Sequence, residues 1–290
     1  MTSRLDAVVR NARARFEAAG LSDAAFESRL LIGGLLGISA TDVFTGGDRV
    51  LSEAELSVIE RAVTRRLARE PVHRILGARE FHGLRLSLSA ETLEPRDDTE
   101  ILVETVLPHL RRMAERERPV RLLDLGVGTG AIGLALLKSC PDAVVLGTDI
   151  SGNALATAAR NSQMNDVAGR YETRLSDWFS AITERFHMIV SNPPYIASSV
   201  VDELEPEVRD FDPRAALDGG IDGLDAYRAI AAGAASHLET NGLVAVEIGF
   251  DQKEQVTALF AARGFSRLQA VADYGGNDRV LVFACNRLQQ

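Results

Sequence analysis

Apolar residues recur at intervals of three and four along the first part of this 290-residue chain. They include Leu5, Val8, Val9, Phe26, Leu30, Leu31, Leu56, Ile59, Val63 and Leu67. This spacing places apolar side chains on one face of an α-helix. Ser22 and Ser52 each precede an acidic first turn and are therefore predicted N-caps. The pattern predicts a small helical domain over residues 1–75.

The hydrophobic pattern changes to a period of two after Gly83. Leu84, Leu86 and Leu88 alternate with polar residues, which is typical of a half-buried strand. We predict a hairpin or an extended connector over residues 76–95, and we place the domain boundary there.

From about residue 120 onward, short apolar segments alternate with helical ones. The predicted strands are residues 121–125, 143–148, 171–175, 187–191, 242–248, 266–271 and 279–284. This alternation is typical of a doubly wound, mostly parallel sheet. No long helix separates the last two strands, so we predict that they pair antiparallel. The sheet would form a second, α/β domain over residues 96–290.

The composition is that of an ordinary globular protein, with 46% hydrophobic and 25% charged residues. No stretch approaches ~18 uncharged apolar residues, and no apolar signal segment follows Met1, so we predict a cytoplasmic protein without membrane contact. Cys140 and Cys285 are the only cysteines. Their number and spacing predict two buried thiols, without a disulfide framework or a bound metal.

The formal net charge of −9 argues against a broad nucleic-acid footprint. Arginines nevertheless recur on one predicted helical face, at Arg61, Arg65, Arg66 and Arg69. A solvated helix surface is the preferred interpretation of this arginine face, and a polyanionic partner is the alternative.

A glycine-rich loop, Gly126-Val127-Gly128-Thr129-Gly130, follows the first predicted strand of the second domain and precedes a helix. Glycines at these positions permit positive φ and a close approach of ligand to backbone. The spacing fits both the G-x-G-x-G of S-adenosylmethionine (SAM) enzymes and the G-x-G-x-x-G of dinucleotide enzymes. Asp149 ends the next strand, where a carboxylate can accept hydrogen bonds from ribose hydroxyls. An N-cap role is the alternative for Asp149.

Trp178, the only tryptophan, follows the third predicted strand together with Asp177. This position is suited to stacking on an adenine ring, with the Asp177 carboxylate near the adenine amino group. The two residues therefore favour SAM, although Trp178 could also be core filler.

The fourth predicted strand of the second domain ends at Asn192-Pro193-Pro194-Tyr195. Two prolines cannot continue a hydrogen-bonded ladder, so this tetrapeptide lies at a strand end, where α/β sheets bind ligands. The side-chain carbonyl of Asn192 and the backbone carbonyl of Pro193 can accept both protons of a planar amino group. Tyr195 can stack on that group. This arrangement would orient an amide or adenine nitrogen for methylation.

The combination of NPPY with DLGVGTG resembles the amino-methyltransferases that carry an (Asn/Asp/Ser)-Pro-Pro-(Tyr/Phe) motif. Further matching stretches are EPVHRILGAREFHGL, LEPRDDTEILVE, DPRAALDGGIDGLDAYR and LVAVEIG. Together they resemble the HemK/PrmC family, which methylates the glutamine side-chain amide in the GGQ motif of peptide-chain release factors. The resemblance covers nearly the whole chain, including the helical domain.

The resemblance implies a class I SAM-dependent methyltransferase fold, Rossmann-like, with a seven-stranded sheet whose last strand is antiparallel. It also implies a substrate-recognition role for the helical domain. The implied SAM contacts are Gly126, Val127, Gly128, Thr129, Gly130, Asp149, Trp178 and Asn192. The implied glutamine contacts are Asn192, Pro193, Pro194 and Tyr195, and the implied catalytic residues among them are Asn192, Pro193 and Tyr195. The family often reads I-P-R-P-E-T-E where this chain has EPRDDTE, so no role is assigned to Asp97 and Asp98.

Three other functions remain open on sequence grounds. An adenine methyltransferase would share the tetrapeptide, but residues 81–290 carry 30 acidic against 20 basic residues, which opposes binding to phosphates. A dehydrogenase would share only the glycine loop. An RNA- or ribosome-binding module would use the arginine face. We expect release factors as the partners, no sequence-specific nucleic-acid binding, and a monomer.

Overall fold

A computed structural model describes residues 3–285 of the chain. The structure divides into two compact units, with the division between Ala78 and Arg79. No helix within the described residues is long and apolar enough to span a lipid bilayer.

The first unit is helical. Its elements are β1 (Ser3–Arg4), α1 (Leu5–Ala18), α2 (Ala24–Leu36), α3 (Ala40–Thr45), β2 (Val50–Leu51), α4 (Glu53–Leu67) and α5 (Val72–Leu76). Its core is formed by Leu5, Ala12, Phe16, Leu31, Ile32, Ile59, Val63, Val72 and Ile75. Most of the apolar positions with helical spacing therefore lie in or against one buried cluster, whereas Phe26 is exposed, contrary to the prediction.

One of the two predicted N-caps is correct. The hydroxyl of Ser52 accepts from the backbone N–H of Glu55, which completes a capping box on α4. The prediction for Ser22 is wrong, because α2 begins only at Ala24. Ser22 and Asp23 form a turn before the helix, and Asp23 is the N-cap residue, without a side-chain capping bond.

The arginine face is not uniformly solvated. Arg66 is buried, and its Nε lies 2.8 Å from Oε2 of Glu27. Arg65 pairs with Glu70 through two hydrogen bonds. Arg61 is exposed. The solvated interpretation is thus wrong for Arg66, whose charge is compensated inside the unit.

A hairpin occupies the predicted connector. It consists of β3 (Ala78–Phe81) and β4 (Leu84–Ser87). Both residues of its turn, His82 and Gly83, have positive φ, as a type I′ turn requires. The period-two pattern is confirmed, since Leu84 and Leu86 are both buried.

The remaining elements belong to the second unit. They are α6 (Asp98–Ala114), β5 (Val120–Leu125), α7 (Ala131–Ser139), β6 (Ala143–Asp149), α8 (Gly152–Met164), β7 (Tyr171–Leu175), β8 (Phe186–Ser191), α9 (Ser198–Val201), α10 (Pro206–Arg209), α11 (Asp225–His237), β9 (Leu238–Glu247), α12 (Lys253–Ala261), β10 (Phe265–Ala272) and β11 (Asp278–Cys285). Two short 3-10 turns lie at Ala168–Arg170 and Arg214–Ala216.

Seven strands of the second unit form one sheet in the order β10-β11-β9-β8-β5-β6-β7. β11 pairs antiparallel with both of its neighbours, whereas the pairs from β9 to β7 are parallel. This confirms the predicted seven-stranded sheet with an antiparallel last strand.

The prediction for β9 was too short at its beginning. The strand begins at Leu238, which pairs with Phe186 of β8, and after a shift in register Leu243 pairs with Met188. The polar residues between these two positions concealed the first part of the strand from the apolar pattern.

Helices cover both faces of the sheet. α6, α7 and α8 contribute to one hydrophobic cluster, and α11 and α12 contribute to the other. Because both faces are covered, the central strands β5, β6 and β8 are largely buried and appear as nearly continuous apolar runs, whereas the edge strand β7 is mostly polar and mostly not buried. The order of the strands reverses between β5 and β8, so the carboxyl ends of β5, β6, β8 and β9 frame the switch point where ligands bind.

Candidate active site

A cavity of about 510 Å³ opens at the carboxyl ends of β5, β6 and β8. Residues that line it include Gly126, Val127, Gly128, Thr129, Asp149, Asp177, Trp178, Asn192, Pro194 and Thr99. Most of the predicted cofactor residues therefore meet around one space, although they are far apart in sequence.

The glycine loop connects β5 to α7 along one wall of this cavity. Gly126 and Gly128 have φ of +70° and +52°, and no atom lies within 4 Å of where a Cβ would stand on either. The loop is anchored by the backbone N–H groups of Gly126 and Val127, which both donate to the carbonyl of Thr148. The two glycines leave the backbone accessible to a ligand, as the sequence indicated.

Gly130 does not line the cavity. A Cβ at this position would meet the Tyr171 hydroxyl at 3.0 Å, and also Leu134 and Ala158. Gly130 is the N-cap of α7, with φ +83°. Its small size serves the packing beneath the loop, and this geometry does not support the predicted cofactor contact.

Asp149 ties the glycine loop to the end of β6. Its Oδ2 accepts from the backbone N–H of Gly128 at 3.0 Å, and its Oδ1 accepts from Ser151 at 2.9 Å. The N-cap of α8 is Ser151, whose hydroxyl accepts from Ala154. The N-cap alternative for Asp149 is therefore wrong, and the carboxylate stands at the cavity wall.

Trp178 has two surroundings. It lines the cavity, and it also packs against the cluster formed by α11 and α12. Its φ is +47°, and its carbonyl accepts from the Ser176 hydroxyl at 2.8 Å. Trp178 therefore takes part in core packing and also lines the cavity, and its stacking on an adenine ring stays a prediction.

The tetrapeptide after β8 is divided between the cavity and its wall. Asn192 and Pro194 line the cavity, whereas Pro193 is buried and Tyr195 is half-buried beside it. None of the hydrogen bonds among the described residues ends on the Pro193 carbonyl. The Tyr195 carbonyl accepts from Nε2 of Gln252 at 2.9 Å, which fixes the end of the tetrapeptide.

A buried carboxylate, Glu247 at the end of β9, lies behind Asn192. Nδ2 of Asn192 donates to Oγ1 of Thr99 at 3.1 Å, and Oγ1 donates to Oε2 of Glu247 at 2.7 Å. The Tyr195 hydroxyl lies 3.3 Å from the other carboxylate oxygen. Burial raises the pKa of Glu247 to about 7, against the lowering by Thr99, Arg279 and Tyr195. Burial also raises the pKa of Tyr195.

Sequence reasoning missed Thr99 and Glu247. The available signal for Glu247 is a single acidic residue inside the apolar run LVAVEIG, since a charge in a buried strand requires partners. Thr99 gave no such signal, because its neighbour Glu247 is 148 positions away.

Asp97 and Asp98 both lie outside the cavity lining. Asp97 pairs with Arg79 at 2.6 Å, and Asp98 lies 3.4 Å from Arg279. The next residue, Thr99, is the one that reaches the cavity.

A second buried carboxylate, Asp124 on β5, lies beneath the glycine loop. Oδ2 of Asp124 accepts from the backbone N–H of Gly133 at 2.9 Å. Its Oδ1 and the hydroxyl of Tyr171 are buried and make no hydrogen bond within residues 3–285. Burial raises the pKa of Asp124 to about 7, and the charge of Asp149 contributes in the same direction.

Cys140 is buried, as predicted, but Cys285 is only half-buried, and both are free thiols. Across the described part of the chain, no group of three or more His, Cys, Asp or Glu side chains could hold a metal ion.

Comparisons with known proteins agree with this geometry. Residues 7–77 match a family model described as the PrmC N-terminal domain, and residues 97–205 match the Methyltransferase small domain. A release factor glutamine methyltransferase of Agrobacterium fabrum is 56% identical over 272 residues, which are 94% of each chain. That of Rhodospirillum rubrum is 42% identical over 92% of this chain and 81% of its own length.

Among solved structures, the hMettl16 catalytic domain matches with a TM-score of 0.56 at 12% identity, over 82% of this chain and 85% of that one. At this identity the likeness concerns the fold alone, and it agrees with the class I methyltransferase architecture. The fold, the two family models and the identity to the relatives converge: the chain belongs to the release factor glutamine methyltransferase family, a family of SAM-dependent enzymes.

Proposed function

We propose that the chain transfers a methyl group from SAM to the side-chain amide nitrogen of the glutamine in the GGQ motif of peptide-chain release factors. The observation that carries this proposal is the placement of Asn192. Asn192 lies in the wall of the same cavity as the glycine loop, at the end of β8, and its Nδ2 is already bonded to Thr99. The names of the relatives supply the substrate.

The residues around the cavity fit SAM. Bound SAM supplies an electrophilic methyl group on a sulfonium. Asp149 offers a carboxylate to ribose hydroxyls, the accessible backbone of Gly126–Thr129 suits the amino-acid portion, and Trp178 offers a ring face for adenine. These cofactor roles are proposals drawn from position and chemistry.

The glutamine amide nitrogen is a weak nucleophile, because its lone pair is delocalised into the carbonyl. Oδ1 of Asn192 and the backbone carbonyl of Pro193 would accept its two protons. Such a fork would aim the lone pair at the methyl carbon at near-attack distance. As the N–C bond forms and the C–S bond breaks, the sulfonium becomes a neutral thioether. The nitrogen then loses one proton to water, so no general base is required beforehand.

The first unit is proposed to recognise the release factor, while the second performs the transfer. The division at Ala78 and the separate core of the first unit support this assignment. The proposal also includes that the protein is a monomer and acts in the cytoplasm, where release factors act. The protein does not recognise nucleic-acid sequence directly.

Mass spectrometry tests this function directly. A purified release factor incubated with the protein and SAM should gain one methyl group, located by fragmentation on the GGQ glutamine. A release factor with that glutamine changed to alanine is the matched control. Methylation of adenine in DNA or RNA, with the release factor unchanged, would instead favour the adenine methyltransferase.

A further inference from the structure

The Asn192 side chain ends a hydrogen-bond chain that starts at a buried carboxylate. Glu247 is on β9, Thr99 is in the first turn of α6, and Asn192 directly follows β8. The two bonds are 2.7 Å from Thr99 to Glu247 and 3.1 Å from Asn192 to Thr99. Three elements therefore converge to hold one amide group, and Glu247 is itself only 1% exposed.

The direction of each hydrogen bond in this hydrogen-bond chain follows from the donors available. A hydroxyl group carries one proton, and an ionised carboxylate can only accept. The proton of Thr99 is committed to Glu247, so Thr99 presents a lone pair to Asn192. Asn192 must then donate through Nδ2, which leaves Oδ1 as the atom available to a substrate.

We propose that Glu247 is a positioning residue, whose ionised carboxylate fixes the direction of this chain and so holds Oδ1 of Asn192 toward the substrate amide. The inference deepens the proposed function and rests on it, because the substrate amide needs an acceptor at this position. Glu247 is not part of the cavity lining and acts through Thr99, which is part of that lining.

Protonation of Glu247 removes this constraint. A protonated carboxyl can donate to Thr99, which then can donate to Oδ1 of a flipped Asn192 amide. The flipped amide would present Nδ2, a donor, to the two protons of the substrate nitrogen. The orientation that binds glutamine is therefore specified only while Glu247 is ionised.

Several groups on neighbouring elements influence this ionisation. Arg279 on β11 and Asp98 on α6 act on Glu247 through their charges, and Tyr195 donates to it. The Tyr227 hydroxyl of α11 donates to the backbone carbonyl of Glu247 at 3.0 Å. Burial outweighs the stabilising contacts and holds the pKa of Glu247 near 7. We expect methyl transfer to slow as the pH falls through this value.

Single-turnover rates on a release factor, from about pH 5.5 to about pH 8.5 with SAM saturating, test the proposal. Glu247→Gln and Thr99→Val should lower the rate at neutral pH by about 10- to 100-fold, as expected when a reacting group loses its fixed orientation. In both variants the acid limb of the pH profile, which is the fall of the rate below neutral pH, should also be flatter. Thr99→Ser retains the hydroxyl and should keep both the rate and the limb.

The proposal would be overturned if Glu247→Gln or Thr99→Val had the same rate and the same acid limb as the parental protein. A uniform loss of rate with the acid limb retained would also overturn it, because that result means a purely structural role. Calorimetric SAM binding by each variant shows that it is folded.

A readout independent of activity separates this inference from the proposed function. Infrared difference spectra should show a carboxyl band of Glu247 that appears below neutral pH in the parental protein and is lost in Glu247→Gln, while the band of Asp124, which titrates in the same range, remains in both proteins. A parental protein that methylates no release factor, but shows this band, would overturn the proposed function alone. A protein that methylates normally, without a titrating carboxyl at Glu247, would overturn the inference alone.

Discussion

The backbone N–H of Gly128 donates to Oδ2 of Asp149 across 3.0 Å. This bond joins the loop after β5 to the end of β6 at the wall of the cavity. The Asp149 carboxylate therefore organises the loop, in addition to the ribose contact that we propose for it.

Asp149→Ala should weaken SAM binding by ~1.5–3 kcal/mol, because it removes charge-assisted hydrogen bonds to the ribose and the anchor of Gly128. Isothermal titration calorimetry measures this change. Asp177→Asn, at an exposed residue of the same cavity, is the control variant and should weaken SAM binding less. Unchanged affinity in Asp149→Ala would remove this residue from the cofactor site, and clear binding of NAD would revive the dehydrogenase.

Tyr195→Phe should move the acid limb of the methylation profile to higher pH. The Tyr195 hydroxyl stabilises the ionised form of Glu247, so its removal raises the pKa of Glu247 further. Tyr195→Phe keeps the phenyl ring, so its methyl-transfer rate at pH values above the acid limb should fall only a little. The rate of Tyr195→Ala should fall severely. An acid limb that stays in place, or an alanine variant as fast as the phenylalanine variant, would contradict the role of Tyr195.

Asp124→Asn should make the stability of the protein less dependent on pH. The pKa of Asp124 is about 7 in the folded chain, against its usual 3.8. Between these values the folded state holds a proton that the unfolded chain releases, so stability falls as the pH rises through this window. Asparagine cannot ionise, so between about pH 5 and about pH 8 the free energy of unfolding of the variant should rise relative to that of the parental protein by at most about 3 kcal/mol.

Urea denaturation at about pH 5 and about pH 8 measures this difference for Asp124→Asn and the parental protein. Comparison of the two proteins is necessary because Glu247, also raised to about 7, contributes a dependence of the same sign. Parallel pH dependence of the two stabilities would mean that Asp124 ionises normally in the folded state.

A chain that begins at Gly77, without the helical unit, should fold and bind SAM. Its second unit retains the whole sheet and both hydrophobic clusters around it. Methyl transfer to an intact release factor should fall sharply, because remote contacts supply orientation energy for the reaction. Rates equal to those of the full chain would refute the recognition role of the first unit.

The strands and the glycine loop were predictable because their causes are local. Parallel strands covered on both faces must be apolar throughout, and a diproline must end a strand. Asn192 was identified on that basis. The partner that orients it was not, because Thr99 and Glu247 meet Asn192 only when α6, β8 and β9 pack together.

Gly130 shows the opposite limit of sequence reasoning. It has the same spacing as Gly126 and Gly128, yet its Cβ position faces Tyr171 instead of the cavity. The sequence motif identifies the glycines of the loop. The packing of α7 and α8 determines which of these glycines can approach a ligand.

Single-turnover methylation of a release factor by Asn192→Ala and Asn192→Asp, with SAM saturating, tests the acceptor fork most directly. Loss of Oδ1 should raise the methyl-transfer barrier by ~2–4 kcal/mol in Asn192→Ala, as for one oriented transition-state contact. Asn192→Asp keeps an acceptor oxygen and should retain more activity than alanine. Transfer to the GGQ glutamine at the parental rate by Asn192→Ala would contradict the fork.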